Sequence, residues 1–148
     1  MSSQNPQVVQ ALSGLLADSY TLYVKTHSYH WNVTGPMFTT LHTLFETQYT
    51  ELALAVDEIA ERIRALDAPA PGSYSQFTEL ATVKEDTGVP KATDMIRNLV
   101  ADMGTVADSA RKLVRAAEEA GDDASVDLGV RRIDVHEKAA WMLRSHLE

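Results

Sequence analysis

The sequence predicts an all-α fold: a bundle of four long helices with a short extra helix in the connection between the second and third. Three observations predict it. Apolar residues recur at three- and four-residue intervals through four long segments, and no alternating stretch marks a strand. Turn-forming clusters fall between those segments, at Thr34-Gly35-Pro36, Pro69-Ala70-Pro71-Gly72 and Gly121. The length of 148 residues, 45% of them hydrophobic, suits a single domain over residues 1–148 that buries roughly 68–70% of its unfolded surface.

Residues 1–6 form a short arm without Lys or Arg, and the first helix begins at Asn5–Gln7, where Pro6 suits a first turn. Val8, Val9, Leu12, Leu15, Leu16, Leu22 and Tyr23 make its apolar face as far as Asn32. Gly35 supplies a left-handed cap there, and Pro36 cannot continue the ladder. The second helix spans Phe38 to Leu66, with Phe38, Leu41, Phe45, Leu52, Ile59, Ile63 and Leu66 on its apolar stripe. So short a connection makes these two helices an antiparallel hairpin. Ala68 to Pro90 is the long link, with a helical turn at Ser75–Leu80 crossing between distant ends of the bundle. The third long helix starts at Thr93-Asp94, where either side chain can cap, and runs through Met95, Leu99, Met103, Val106, Ala110, Leu113 and Ala117 to Gly121. The last starts at Asp122–Ser125 and carries Leu128, Ile133, Ala140, Leu143 and Leu147. Four helices with one long crossover are the topology of ferritin-like bundles.

Composition narrows the function classes. The formal charge is -8, and the first basic residue is Lys25, which argues against binding nucleic acid through its phosphates. The mean hydropathy is -0.19, and no run approaches the ~18 apolar residues of a membrane span. Cysteine is absent, which excludes disulfides and thiolate ligands. The polar start Met1–Gln7 is no secretion signal, and the cytoplasm is the default location.

The chemistry-bearing pattern lies on the second helix. His42, Glu46, Asp57 and Glu61 fall on a stripe roughly 100° to 200° round from the apolar one, so they point away from the core that this helix packs against. Their outer and inner pairs share one midpoint, between Glu51 and Leu52. His42 and Asp57 are about 22 Å apart at 1.5 Å per residue, too far to share an ion. Two copies set antiparallel across a two-fold axis would instead place His42 and Glu46 of one against Asp57 and Glu61 of the other. Thr50 and Ala53, beside the midpoint, are small enough to allow close approach. The alternative is a solvated charged face.

His30, across the Gly35-Pro36 turn, can fold towards the His42 end as a further ligand, or simply pack. Its neighbour Trp31 is a packing aromatic with a candidate redox role. His27, His136 and His146 lack a carboxylate partner at helical spacing and are read as structural. Asp122, Asp123 and Asp127 either stabilise a helix N-terminus or form an acidic opening that draws cations. The Glu-x-x-His pair of in-bundle di-iron sites is absent from the sequence.

Two stretches carry a family resemblance. His30-Trp31-Asn32-Val33-Thr34-Gly35-Pro36-Met37-Phe38-Thr39-Thr40-Leu41-His42-Thr43-Leu44-Phe45-Glu46 resembles the first signature of the Dps proteins, the mini-ferritins. Val56-Asp57-Glu58-Ile59-Ala60-Glu61-Arg62, continuing to Pro69, resembles the second. The closing Asp134–Leu143 run is also similar, so the resemblance covers nearly the whole chain. It implies a hollow homo-dodecamer of four-helix bundles with a ferroxidase site across each two-fold interface. His30, His42 and Glu46 of one subunit and Asp57 and Glu61 of its mate would hold two irons, cycling between Fe(II) and Fe(III). The family often has Asp where this chain has Glu46, whose longer arm alters metal distance and bridging. The resemblance also implies iron-entry pores at Asp122, Asp123 and Asp127. DNA binding by lysine-rich tails is not carried over, because the arm lacks them.

The expected function is iron storage and detoxification: Fe(II) is oxidised, preferentially by hydrogen peroxide, and stored as mineral, which protects against oxidative stress. Zinc can compete for the same ligands, and Trp31 would intercept stray oxidising equivalents. The alternative is a structural protein that compacts DNA in the nucleoid.

Overall fold

The computed structural model describes residues 5–148, so Met1–Gln4 of the expected arm lie outside the described residues. The helices are α1 (Pro6–Asn32), α2 (Phe38–Ala65), α3 (Tyr74–Leu80), α4 (Ala92–Ala120) and α5 (Asp123–Arg144), closed by a 3-10 turn at Ser145–Leu147. They form an all-α bundle with the expected short helix in the long link. No described helix is long and apolar enough to cross a membrane.

Helix boundaries follow local chemistry, with two departures from the expected caps. Gly35 does adopt a positive φ, 101°, but α1 is closed by Val33 in extended conformation, and the glycine shapes the following turn instead. At the start of α4 the cap position is Lys91, with no side-chain bond; Asp94 sits in the first turn and pairs with Arg97. There it can act on the helix dipole without capping. Gly121, at φ 68°, ends α4 as expected. Ser73 caps α3 by accepting from the Gln76 N–H, and the Gln76 side chain accepts in return from the Gly72 N–H. This reciprocal pair explains why a seven-residue helix forms in the link.

The bundle is two tightly paired hairpins, α1 with α2 and α4 with α5, joined mainly by α1 against α4. Leu12, Leu15, Leu16, Leu22, Leu41, Phe45, Leu52, Ile59, Ile63, Met95, Ile96, Leu99, Val106 and Leu113 are at most 1% exposed. Each such side chain contributes roughly 1.5–3 kcal/mol by leaving water. Phe38, expected on this stripe, is instead 41% exposed. It stands at the very start of α2 and lies over the His42 ring. Gly129 sets the approach of α5 to α4: a Cβ there would stand 2.7 Å from Val114 Cγ2 and 3.2 Å from the Ala110 carbonyl oxygen.

Buried polar groups tie the long link and the thinly packed α2–α5 side to this core. Asp18 is fully buried; its Oδ1 accepts from the backbone N–H groups of Thr82 (2.6 Å) and Val83 (2.8 Å), and its Oδ2 from the Ser109 hydroxyl (2.5 Å). Lys25 reaches the Lys84 carbonyl and the Asp102 carboxylate, and the Tyr29 hydroxyl donates to Asp86. Between α2 and α5, the Arg132 guanidinium makes a two-pronged bond to Glu51 and donates to His136 Nε2. Burial, then the Arg132 charge, lowers the His136 pKa to about 3, so the ring is neutral. The structural reading of His136 thus has a specific role: it accepts from a buried guanidinium.

Candidate metal centre

The turn at residues 33–37 folds the last turn of α1 back onto the first turns of α2, which brings His30, His42 and Glu46 together. The two imidazoles stack with centroids 3.8 Å apart and planes 14° from parallel. His30 Nδ1 lies 2.7 Å from the His42 carbonyl oxygen, and His42 Nδ1 lies 2.7 Å from the His30 carbonyl oxygen. A carbonyl only accepts, so both Nδ1 atoms carry their protons, which leaves Nε2 as the ring atom that can ligate a metal. The His30 carbonyl belongs to the last turn of α1, where intrahelical donors run out. The bond from His42 therefore satisfies an orphan group while it fixes a tautomer.

The Nε2 atom of His30 is 3.9 Å from Glu46 Oε1. One ligand atom from each of His30, His42 and Glu46 lies within 4.8 Å of the other two. Nitrogen and oxygen ligands about 2.0–2.2 Å from a small divalent ion stand up to roughly 4 Å apart, so a modest rotation of Glu46 closes the cluster. Glu46 can supply that rotation because its side chain is 59% exposed, whereas His30 is buried. The donor set is hard and mixed, two imidazoles and a carboxylate, which suits Fe(II) and also Zn(II).

Aromatic rings surround the histidines. Phe38 stacks on His42 at 5.0 Å, and Tyr49 meets the His30 ring edge-on at 5.1 Å. His27 lies between Tyr49 (4.3 Å) and the indole of Trp31 (3.9 Å), which is 64% exposed. Burial, then the Glu46 and Tyr23 charges, keeps the Tyr49 phenol above its ordinary pKa. His27, expected to be structural, packs between the Tyr49 and Trp31 rings. The available signal was that Tyr49 follows His42 by seven residues and so lies on the same face of α2.

Asp57 and Glu61 do not join the triad within one chain. They lie further along α2, exposed on the face that also carries Glu46, Thr50, Ala53 and Leu54. They border a shallow depression with Leu54, Arg62, Asp127 and Arg131. The acidic group at the α5 start is divided in role. Asp122 caps α5 through the Ser125 N–H, takes the Ser125 hydroxyl at 2.6 Å and pairs with Arg62 at 2.7 Å. Burial opposes its ionisation most, yet the Ser125 bonds and the Arg62 charge together hold its pKa below the ordinary value. Asp127 pairs with Arg131, and Asp123 is exposed. Only Asp123 and Asp127 therefore present carboxylates to solvent.

Comparison with known proteins gives the family. The model of the ferritin family, described as a ferritin-like domain, matches residues 9–148. A low temperature-induced protein of Nostoc sp., itself uncharacterized, is 44% identical over 98% of this chain and 82% of its own length. DNA protection during starvation protein 2 of Bacillus anthracis is 35% identical, over 97% of this chain and 98% of that one. A solved structure of the Dps protein from Vibrio cholerae O1 superposes with a TM-score of 0.93 at 32% identity, covering 100% of this chain and 99% of that one. Its title describes that protein as a member of a broad superfamily of ferritin-like diiron-carboxylate proteins. The chain belongs to the Dps family, within the ferritin-like proteins.

Proposed function

We propose that this protein stores and detoxifies iron, as a ferroxidase that takes Fe(II) and hydrogen peroxide as substrates and keeps the ferric product as mineral inside a hollow homo-dodecamer. One observation carries the reading: His30 and His42 lock each other through their Nδ1 atoms, which leaves Nε2 of each ring as the atom available to a metal, in a cluster with Glu46. Asp57 and Glu61 lie in mirror register on the same exposed face of α2. Across an isologous interface they complete the site, so His30, His42 and Glu46 of one subunit and Asp57 and Glu61 of its mate hold a pair of irons. The exposed side chains along that face, Thr50, Ala53 and Leu54, suit such a contact.

Two Fe(II) ions give two electrons to one peroxide, which takes up two protons and leaves as two waters. One-electron cleavage, which releases hydroxyl radical, is bypassed. The ligands act by position: the Nδ1–carbonyl bonds aim the imidazoles, and the carboxylates offset the growing positive charge as iron is oxidised. Trp31, exposed beside His30, intercepts equivalents that escape. Fe(II) enters past Asp123 and Asp127, while Asp122 shapes that entrance through its cap. The protein works in the cytoplasm and protects against oxidative stress.

An anaerobic Fe(II) titration followed by peroxide tests the reading. Two Fe(II) oxidised per peroxide, with no spin-trapped hydroxyl radical and with zinc as inhibitor, is the expected result. Fe(II) left unoxidised by peroxide overturns it. A second reading, DNA compaction, has the naming of the Bacillus anthracis relative in its favour and the charge of -8 against it. A gel shift at low and moderate salt decides it: the present reading expects no retardation.

A further inference from the structure

We propose that the groove between α2 and α5 binds an uncharged planar heteroaromatic lactam, held at its –CO–NH– edge by the side-chain amide of Gln48. The isoalloxazine ring of a flavin is a ligand of this class. The inference is independent of the ferroxidase reading, because it uses none of the residues of the metal centre.

Gln48 stands in an apolar row of α2, between Leu44 and Leu52 at four-residue spacing. The residue is 8% exposed, yet neither its Nε2 nor its Oε1 has a hydrogen-bond partner among the described residues. Exchanging the amide nitrogen and oxygen changes nothing, since both positions are unpartnered. A buried amide left in this state destabilises the subunit. A bound group with a donor beside an acceptor satisfies both atoms.

The groove that Gln48 lines has a volume of about 460 Å³, within the roughly 300–1,000 Å³ of small-molecule sites. Leu44, Leu52, Ala139 and the thioethers of Met103 and Met142 make its walls. His136 fixes one of those thioethers. Its Nε2 accepts from Arg132, so the single proton of the neutral ring lies on Nδ1 and is directed at Met103 Sδ, 3.3 Å away. Polarisable sulfur makes favourable contacts with aromatic rings, which favours an aromatic ligand over an aliphatic one.

Charge selects against ions. Glu51, Asp134 and Lys138 line the groove, and Arg132 lies behind Glu51 and His136. Two acidic and two basic side chains cancel, so no net field draws an ion in. A carboxylate only accepts and would leave Gln48 Oε1 unpaired, whereas a lactam edge meets both amide atoms. The groove also lies apart from the candidate metal centre. Gln48 precedes Asp57 by nine residues, about 180° round α2 at 100° per residue. Contact between copies through the Asp57 face therefore leaves it open.

The test titrates the metal-free full chain into lumiflavin and follows quenching of the dye's fluorescence. Lumiflavin should bind at one site per subunit. 3-Methyllumiflavin, identical except that its lactam nitrogen carries a methyl group, should bind about tenfold more weakly. Gln48→Met keeps the length of the side chain and removes both polar atoms. It should weaken lumiflavin binding by a similar factor and, with no ligand present, unfold at a higher urea concentration than wild type. No binding by wild type, equal affinity for the two dyes, or an unchanged affinity in Gln48→Met overturns the proposal. A Gln48→Met protein less stable than wild type shows that water already satisfies the amide, which overturns it as well.

Discussion

His30 and His42 hold each other by two equivalent bonds, each Nδ1–H donating to the other's main-chain carbonyl oxygen at 2.7 Å. The pair closes the α1–α2 hairpin and, through the Nε2 atoms of the same two rings, prepares a metal-binding face. Structural and chemical roles are therefore separable by substitution. Asn places an amide N–H near the position of Nδ1 and has nothing at Nε2. His42→Asn should retain the fold and lose rapid Fe(II) oxidation by peroxide, while His42→Ala should also lose about 1 kcal/mol of stability with its hydrogen bond. Stopped-flow absorbance and urea denaturation distinguish the two; equal rates in His42→Asn and wild type would remove His42 from the site.

The intersubunit arrangement makes a quantitative prediction. His42→Asn and Asp57→Asn should each be inactive alone, since each spoils both sites of a two-fold pair. When they are unfolded, mixed and reassembled at random, half the pairs are mixed, and each of those regains one intact site. About a quarter of the wild-type rate should return on this counting. No recovery would show that the two residues do not share a site.

Asp18 anchors the link that α3 belongs to. Asp18→Ala would strand the buried N–H of Val83 and leave that of Thr82 without its partner, at about 1–3 kcal/mol for each buried group left unpaired. Asp18→Asn keeps one acceptor oxygen and should cost less. Urea denaturation should rank wild type, Asn and Ala in that order, and protease cleavage between residues 82 and 90 should rise in step.

Gly129 lets α5 lie against α4. Gly129→Ala places a methyl group 2.7 Å from Val114 Cγ2 and should cost about 1–3 kcal/mol. Val114→Ala in the same chain should recover part of that loss, although the Ala110 carbonyl at 3.2 Å remains in the way. A double-mutant cycle measured by thermal unfolding reads the coupling, and strict additivity would contradict this packing.

His136 gives stability a pH dependence of known sign. Its folded pKa is about 3, below the ordinary 6.5. Between these values the unfolded chain binds a proton that the folded chain refuses, so the contribution is complete above pH 6.5 and is lost as pH falls towards 3. The full shift corresponds to a loss of roughly 5 kcal/mol. His136→Gln keeps an acceptor for Arg132 and cannot titrate. Its denaturation midpoint should be flatter with pH across this window, and an unchanged slope would exclude His136 as the cause.

The sequence alone determines the four long helices, the tight hairpin and the mirror spacing of His42, Glu46, Asp57 and Glu61. Those features are periodic or local, and side chains on one helix keep their relative positions whatever the helix packs against. The tertiary structure decides whatever depends on two elements meeting. It pairs His30 with His42 through carbonyls that sequence patterns do not reveal, and it sets Tyr49 against His27 and His30 of α1. It also assigns Asp122 to a helix cap and Arg62, leaving only two exposed carboxylates in a cluster of three. A carboxylate's spacing along the chain says which groups it can reach; only the packing of α2 against the start of α5 says which group it has already bound.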